Sequence, residues 1–157
     1  YLEKVNGLRK VCPHIALTTD IIVGFPGETE EDFQDTMKLL EIVKYNGSFS
    51  FKYSDRPGTK AQDLDSKVPE SLKSSRLQVF QKRQDEISLE KNRSYVGKTL
   101  KILVEKVTGE NMVGRTDTNH IVHIEVTGQK HTIVPGVYED VVITFAGQHS
   151  LKGELLN

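Results

Sequence analysis

The chain has no tryptophan, two methionines, a single cysteine and no long uninterrupted apolar run. Each scarcity excludes something. Cys12 alone cannot close an internal disulfide, and one unpaired cysteine fits a reducing, cytoplasmic compartment. Without a stretch of about 20 apolar residues there is no spanning helix of the usual kind, and the N-terminal residues do not read as a signal peptide. A formal net charge of −1 gives no long-range pull toward nucleic acid. No low-complexity tract or internal repeat appears. What is present is a 36% hydrophobic, 27% charged chain of 157 residues, enough for one domain or two small ones. It opens on Tyr1, within a helical pattern already under way, so a piece of a longer protein is expected.

Two periodicities divide it. Up to about residue 93 helix and strand alternate. Tyr1, Val5, Leu8 and Val11 share one helical face, and Pro13 ends that helix. A strand over residues 15–23 carries the continuous apolar run Ile21, Ile22 and Val23, the pattern of a parallel strand covered on both faces. A helix from Glu30 to about Tyr45 buries Phe33, Met37, Leu40 and Val43 or their neighbours, and a second strand alternates Phe49, Phe51 and Tyr53 with polar residues. A long helix begins near Pro69 and carries Leu72, Leu77, Phe80, Gln84 and Ile87. This βαβα order is α/β. Two strands are too few for a complete parallel sheet, so the half reads as the last part of a larger barrel or open sheet. Apolar surface left uncovered in such a piece invites self-association.

After about Tyr95 short strands follow at close spacing. Leu100, Ile102 and Val104 alternate with Lys101, Leu103 and Glu105, and Val122, Ile124 and Val126 with His123 and Glu125. Val141, Ile143 and Phe145 alternate again, with residues 151–155 closing the set. About five strands with glycines between them predict a small antiparallel barrel of the oligonucleotide-binding sort. Little slack is left between the long helix, ending near Arg93, and Gly97.

The most informative local feature is the turn after the first strand. Gly24, Pro26 and Gly27 punctuate it, since glycine reaches backbone angles closed to other residues and proline fixes its own. Thr29 caps the next helix, with Asp32 three residues on in place of the usual Glu of a capping box. In α/β sheets ligands bind at the carboxyl ends of strands, where this turn sits.

The run from Asp20 through Gly24-Phe25-Pro26-Gly27-Glu28-Thr29 to Phe33 resembles the late barrel strand and turn of the radical S-adenosylmethionine methylthiotransferases. Phe49 to Thr59, through Lys52-Tyr53-Ser54-Asp55-Arg56-Pro57-Gly58, resembles the next strand and loop of that family. Its wording is most like the members that modify N6-dimethylallyladenosine in tRNA. Gly114-Arg115-Thr116-Asp117-Thr118-Asn119 resembles the RNA-facing stretch of the family's C-terminal TRAM domain. The three lie in family order, and the likeness covers nearly the whole chain.

The resemblance implies the end of a TIM-like radical barrel over residues 1–93 and an RNA-binding TRAM domain over 94–157. It implies S-adenosylmethionine and two 4Fe–4S clusters as cofactors, tRNA as partner, and a methylthio group added to C2 of an adenosine beside the anticodon. Paralogues acting on threonylcarbamoyl-adenosine or on a ribosomal protein aspartate remain open, as does a non-enzymatic RNA-binding module. Iron–sulfur clusters are held by several thiolates. With Cys12 alone this chain holds neither cluster by itself, and is expected to be silent without the cysteine-bearing remainder.

Candidate site residues follow. Asp20 either hydrogen-bonds substrate or cofactor inside the barrel or is satisfied by backbone or a lysine, since a buried charge needs a partner. Ile22 and Gly24 either contact the adenine of S-adenosylmethionine or are plain core and turn. Arg56 can grip a carboxylate or phosphate, or pair with Asp55 or Asp63. In the barrel half the cations and acids nearly cancel, so RNA contact rests on local placement, with Lys98, Arg115, Thr116, Asn119 and Lys152 as candidates. Gly114 there would admit close backbone approach. His120 and His123, three apart on a strand, point to opposite faces and make no zinc site. His131 and His149 read as polar surface.

Overall fold

A computed structural model describes residues 1–126 and 133–156. They form two compact units: residues 1–11 with 17–87, and residues 12–16 with 88–157.

In the first unit α1 (Leu2–Val11) precedes β1 (Thr18–Val23), α2 (Glu30–Val43) and β2 (Gly47–Lys52). A short 3-10 turn (Lys60–Asp63) then leads to α3 (Glu70–Arg93), whose residues through Ile87 belong to this unit. α2 starts where its sequence dictates. The Thr29 hydroxyl accepts from the Asp32 amide at 3.1 Å and the Asp32 carboxylate accepts from the Thr29 amide at 2.9 Å, a complete capping box. Lys44, left-handed at φ 50°, ends the helix by donating its N–H to the Leu40 carbonyl.

β1 and β2 pair in parallel, with Asp20 opposite Phe49 and Ile22 opposite Phe51. Paired residues of parallel strands point to the same face. Ile21 and Val23 therefore look toward a core of Val5, Phe33, Leu40, Val43, Tyr45, Phe80 and Ile87. The opposite face is bare: Ile22, Phe49 and Phe51 are 57%, 68% and 56% exposed, and Asp20 lies among them. The strand predicted to be covered on both sides is covered on one. An unbroken apolar run tells that both faces want cover, not that both receive it within these residues. On α1 only Val5 is buried, while Tyr1, Leu8 and Val11 lie out.

The buried stripe of α3 in this unit is Arg76, Phe80, Gln84 and Ile87, at helical spacing. Gln84 donates to the Tyr45 carbonyl at 3.0 Å. Leu72 stays largely outside.

The second unit is a closed five-stranded barrel of β3 (Thr99–Thr108), β4 (Asn111–Thr116), β5 (Ile121–Glu125), β6 (Tyr138–Ala146) and β7 (Ser150–Leu155), in the order β3-β4-β5-β7-β6. All pairs are antiparallel except β5 with β7. Closure removes the exposed edges a small sheet otherwise carries. Ile102, Val104, Met112, Val122, Ile124, Val141, Ile143 and Leu151 fill the interior. Phe145, predicted to continue the inward set, turns out. The register shifts between Ile143 and Phe145, so Ala146 takes the inward place and Phe145 is 57% exposed. At the helix end in this unit, Asn92 donates to the carbonyls of Gly147 at 2.8 Å and Gln148 at 3.1 Å. Lys130 and His131 lie outside the described residues.

Candidate functional site

In the first unit the turn at the carboxyl end of β1 is held by a network around Glu28. Gly24 and Gly27 take φ of +72° and +86°, which bulkier residues enter only under strain. One Glu28 carboxylate oxygen accepts from the Gly24 amide at 2.9 Å and the other from Arg76 Nη1 at 2.7 Å. Arg76 is buried, donates also to the Glu28 carbonyl at 3.2 Å and to Glu30 at 3.1 Å, and lies over the Phe33 ring. The Gly27 amide donates to the Ser66 carbonyl at 2.7 Å. The turn is thus fixed by three segments before any ligand arrives, the preorganisation a binding site needs.

The loop after β2 lies at the same carboxyl edge. The Tyr53 amide donates to the Val23 carbonyl at 2.8 Å, and its ring meets Phe25 edge-on at 5.2 Å between centroids. Lys67 and Lys73 both approach that ring, at 5.5 and 5.6 Å. The Tyr53 hydroxyl donates to Asp55 at 3.0 Å, and Lys67 pairs with the same carboxylate. The Lys67 hydrogen bond, opposed by desolvation and aided by Tyr53, holds the Asp55 carboxyl below its ordinary range. Desolvation first, then Asp55, raises the Tyr53 phenol.

Of the first unit's candidates, Asp20 and Ile22 share the bare sheet face and Gly24 follows them in the turn. The space a side chain would take at Gly24 is filled by the stem of Lys73, whose Cγ would lie 2.4 Å from an added Cβ. Packing inside the protein accounts for that glycine. Arg56 is exposed in the loop after β2, and Asp55, one acid offered as its partner, is engaged by Lys67 and Tyr53 instead.

In the second unit the end of β4 and the turn after it hold each other in place. Arg115 donates to Glu105 at 2.9 Å and to the Asn119 side chain at 3.1 Å, with Asn119 left-handed at φ 66°. Thr116 is buried. Its hydroxyl accepts from the His120 amide at 3.0 Å and bonds Thr118, which reaches His120 Nδ1 at 2.9 Å. The His120 ring rests against Tyr95 at 5.0 Å. Burial, with Lys91 adding to it and Asp117 opposing, holds its imidazole below the ordinary value. Gly114 faces the interior, where an added Cβ would lie 2.6 Å from Ile102 Cδ1 and 2.8 Å from the Leu103 carbonyl. The close approach expected there is made by the barrel's own core. Lys98 lies over Tyr95 at 5.7 Å, and Lys152 is exposed on the outer face of β7. His123 is exposed on β5, while His120 sits in the turn, so the pair does not converge. Among the described residues no group of three or more His, Cys, Asp or Glu is placed to hold a metal ion.

Sequence reasoning missed Glu28, Lys73 and Arg76. A signal existed for Arg76, which falls on the same helical stripe as Phe80, Gln84 and Ile87 and so had to be buried. It missed Phe145 because a bulge leaves no mark in the alternation.

Residues 93–156 match the model of the TRAM domain. Over 157 residues, 99% of the chain, it is 57% identical to a tRNA-2-methylthio-N(6)-dimethylallyladenosine synthase of Desulfotalea psychrophila. It is 46% identical to proteins of the same name from Syntrophobacter fumaroxidans, over its full length, and Syntrophus aciditrophicus, over 99%. The chain spans about a third of the length of these relatives, 34% in each case. Among solved structures, a multidomain protein with nucleic acid binding domains from Streptococcus pneumoniae covers 40% of the chain at 12% identity and a TM-score of 0.35, too slight a likeness to inform the fold.

Proposed function

We propose that this chain, which belongs to the tRNA-2-methylthio-N(6)-dimethylallyladenosine synthase family and carries a TRAM domain, works as part of a radical S-adenosylmethionine enzyme. That enzyme adds a methylthio group to C2 of N6-dimethylallyladenosine next to the anticodon. The observation that carries the reading is the 57% identity over 99% of the chain, both units included. The geometry of the first unit supports it. A parallel pair with one packed face and one bare apolar face is what the last strands of a barrel look like without their neighbours.

On this reading Asp20 and Ile22 face the barrel interior, and Arg56 stands at the rim where the strands end. The turn clamped by Glu28 and Arg76 presents its backbone beside bound S-adenosylmethionine. The clusters and S-adenosylmethionine carry the hard chemistry, while the protein orients substrate and excludes water. Cluster ligation asks for several thiolates and the chain has Cys12 alone, so the clusters belong to other parts of the enzyme. The second unit holds the tRNA.

The test is nucleoside mass spectrometry of total tRNA with and without the intact gene. Loss of the methylthio group from dimethylallyladenosine alone is the expected result. Loss of a different methylthio nucleoside would keep the chemistry and change the substrate. No change in any of them would refute the reading, leaving a protein-modifying paralogue or a plain RNA binder.

A further inference from the structure

The residues that resemble an RNA-facing stretch are mostly engaged within the fold. Arg115 is tied to Glu105 and Asn119, and Thr116 is buried. Free cationic side chains lie elsewhere on the barrel. Strand register places Lys106 beside Val113, Val113 beside His123, His123 beside Lys152 and Lys152 beside Phe145. One outward row thus crosses all five strands. With strands about 4.8 Å apart, Lys106 and Lys152 stand about 14 Å from each other along the surface. Among the described residues neither lysine side chain has an ion-pair or hydrogen-bond partner. At the row's end Phe145 lines a shallow groove of 470 Å³ beside the end of α3, where Arg93 supplies a third cation.

We infer that this row, from Lys106 to Phe145 with Arg93 at its end, is the RNA-binding face of the second unit, and that it takes a single-stranded or loop segment. The inference rests on the tRNA reading proposed above. Spaced lysines hold successive phosphates, and an exposed aromatic beside a guanidinium stacks a base. Phe145 is otherwise a costly thing to show to water, and the bulge that turns it out opposes the alternation around it. The neighbouring row sets a boundary. Two residues along β5 and β7 stand Glu125 and Glu154, which repel phosphate and confine the strand to the lysine side.

The test is fluorescence anisotropy of the 157-residue chain with a fluorescein-labelled anticodon stem-loop RNA at several salt concentrations. Phe145→Ala should weaken binding about 5- to 150-fold. Lys106→Gln with Lys152→Gln should flatten the log K against log salt slope by about 0.7 for each phosphate no longer neutralised. Arg115→Gln should change affinity little, and circular dichroism should match the parent in every case. If the row variants bind like the parent while Arg115→Gln loses RNA, the face is wrong and the RNA reading stands. If the parent binds no RNA at low salt, the RNA role of this unit falls with it.

Discussion

Replacing Arg76 should damage the first unit more than any other single charge removal. Its guanidinium is 4% exposed and the Glu28 carboxylate 12%, at 2.7 Å. Taking away one member of a buried pair leaves the other desolvated and unpaired, which costs about 3–5 kcal/mol. The second bridge, to Glu30, adds little because that carboxylate is well exposed and screened by water. Arg76→Met should therefore destabilise the unit by about 3–5 kcal/mol, a large share of the roughly 5–15 kcal/mol that holds a domain together. Glu28→Gln keeps an acceptor for the Gly24 amide while removing the charge. The double variant should then recover part of the loss, with a coupling of about 1–3 kcal/mol. Urea unfolding followed by circular dichroism gives the energies, and hydrogen exchange on residues 24–28 shows whether the turn loosens. A loss below about 1 kcal/mol for Arg76→Met, or strict additivity in the cycle, would refute the argument.

Two further outcomes follow from the barrel. At Gly153 an added Cβ would lie 2.4 Å from Val141 Cγ1 and 2.8 Å from the Val142 carbonyl, so Gly153→Ala should cost about 1–3 kcal/mol and lower Tm; an unchanged melt counts against the packing described. His120 is disfavoured as a cation by burial, so its folded-state pKa lies below the ordinary 6.5. The unfolded chain therefore binds the proton first, and the contribution to stability is complete above 6.5 and lost as pH falls through the folded value. Thermal melts between about pH 8 and about pH 5 should show that loss, and His120→Gln should flatten it.

What could be read from the sequence is what is local. Thr29 and Asp32 are three residues apart, and both bonds of their capping box form. Ile102, Val104, Val122, Ile124, Val141 and Ile143 alternate, and all are inside. What escaped depends on partners distant in the chain. Glu28 meets Arg76 across 48 positions, and nothing near either residue announces the other. Gly114 read as an open approach because a glycine leaves room beside the backbone, yet the atoms against it belong to Ile102 and Leu103 on another strand. Ile22 read as buried because an apolar strand implies cover without saying which element provides it. Phe145 was misplaced by one extra residue in β6, since a single inserted position exchanges the faces of everything beyond it.

The two faces of the β1–β2 pair carry the strongest constraint on the first unit. A two-stranded sheet is not stable alone in water. Here helices cover Ile21 and Val23, while Ile22, Phe49 and Phe51 face outward around Asp20. Surface use alone does not explain that composition, because exposed strand faces favour polar residues and this one is apolar around a single acid. The barrel interior proposed above would explain it, since there an apolar wall with one carboxylate can orient a bound cofactor. The Glu28–Arg76 clamp lies behind the turn, where it stiffens the strand's end without occupying the bare face. Stiffness is therefore built on the packed side, and the proposed reading leaves the open side for chemistry.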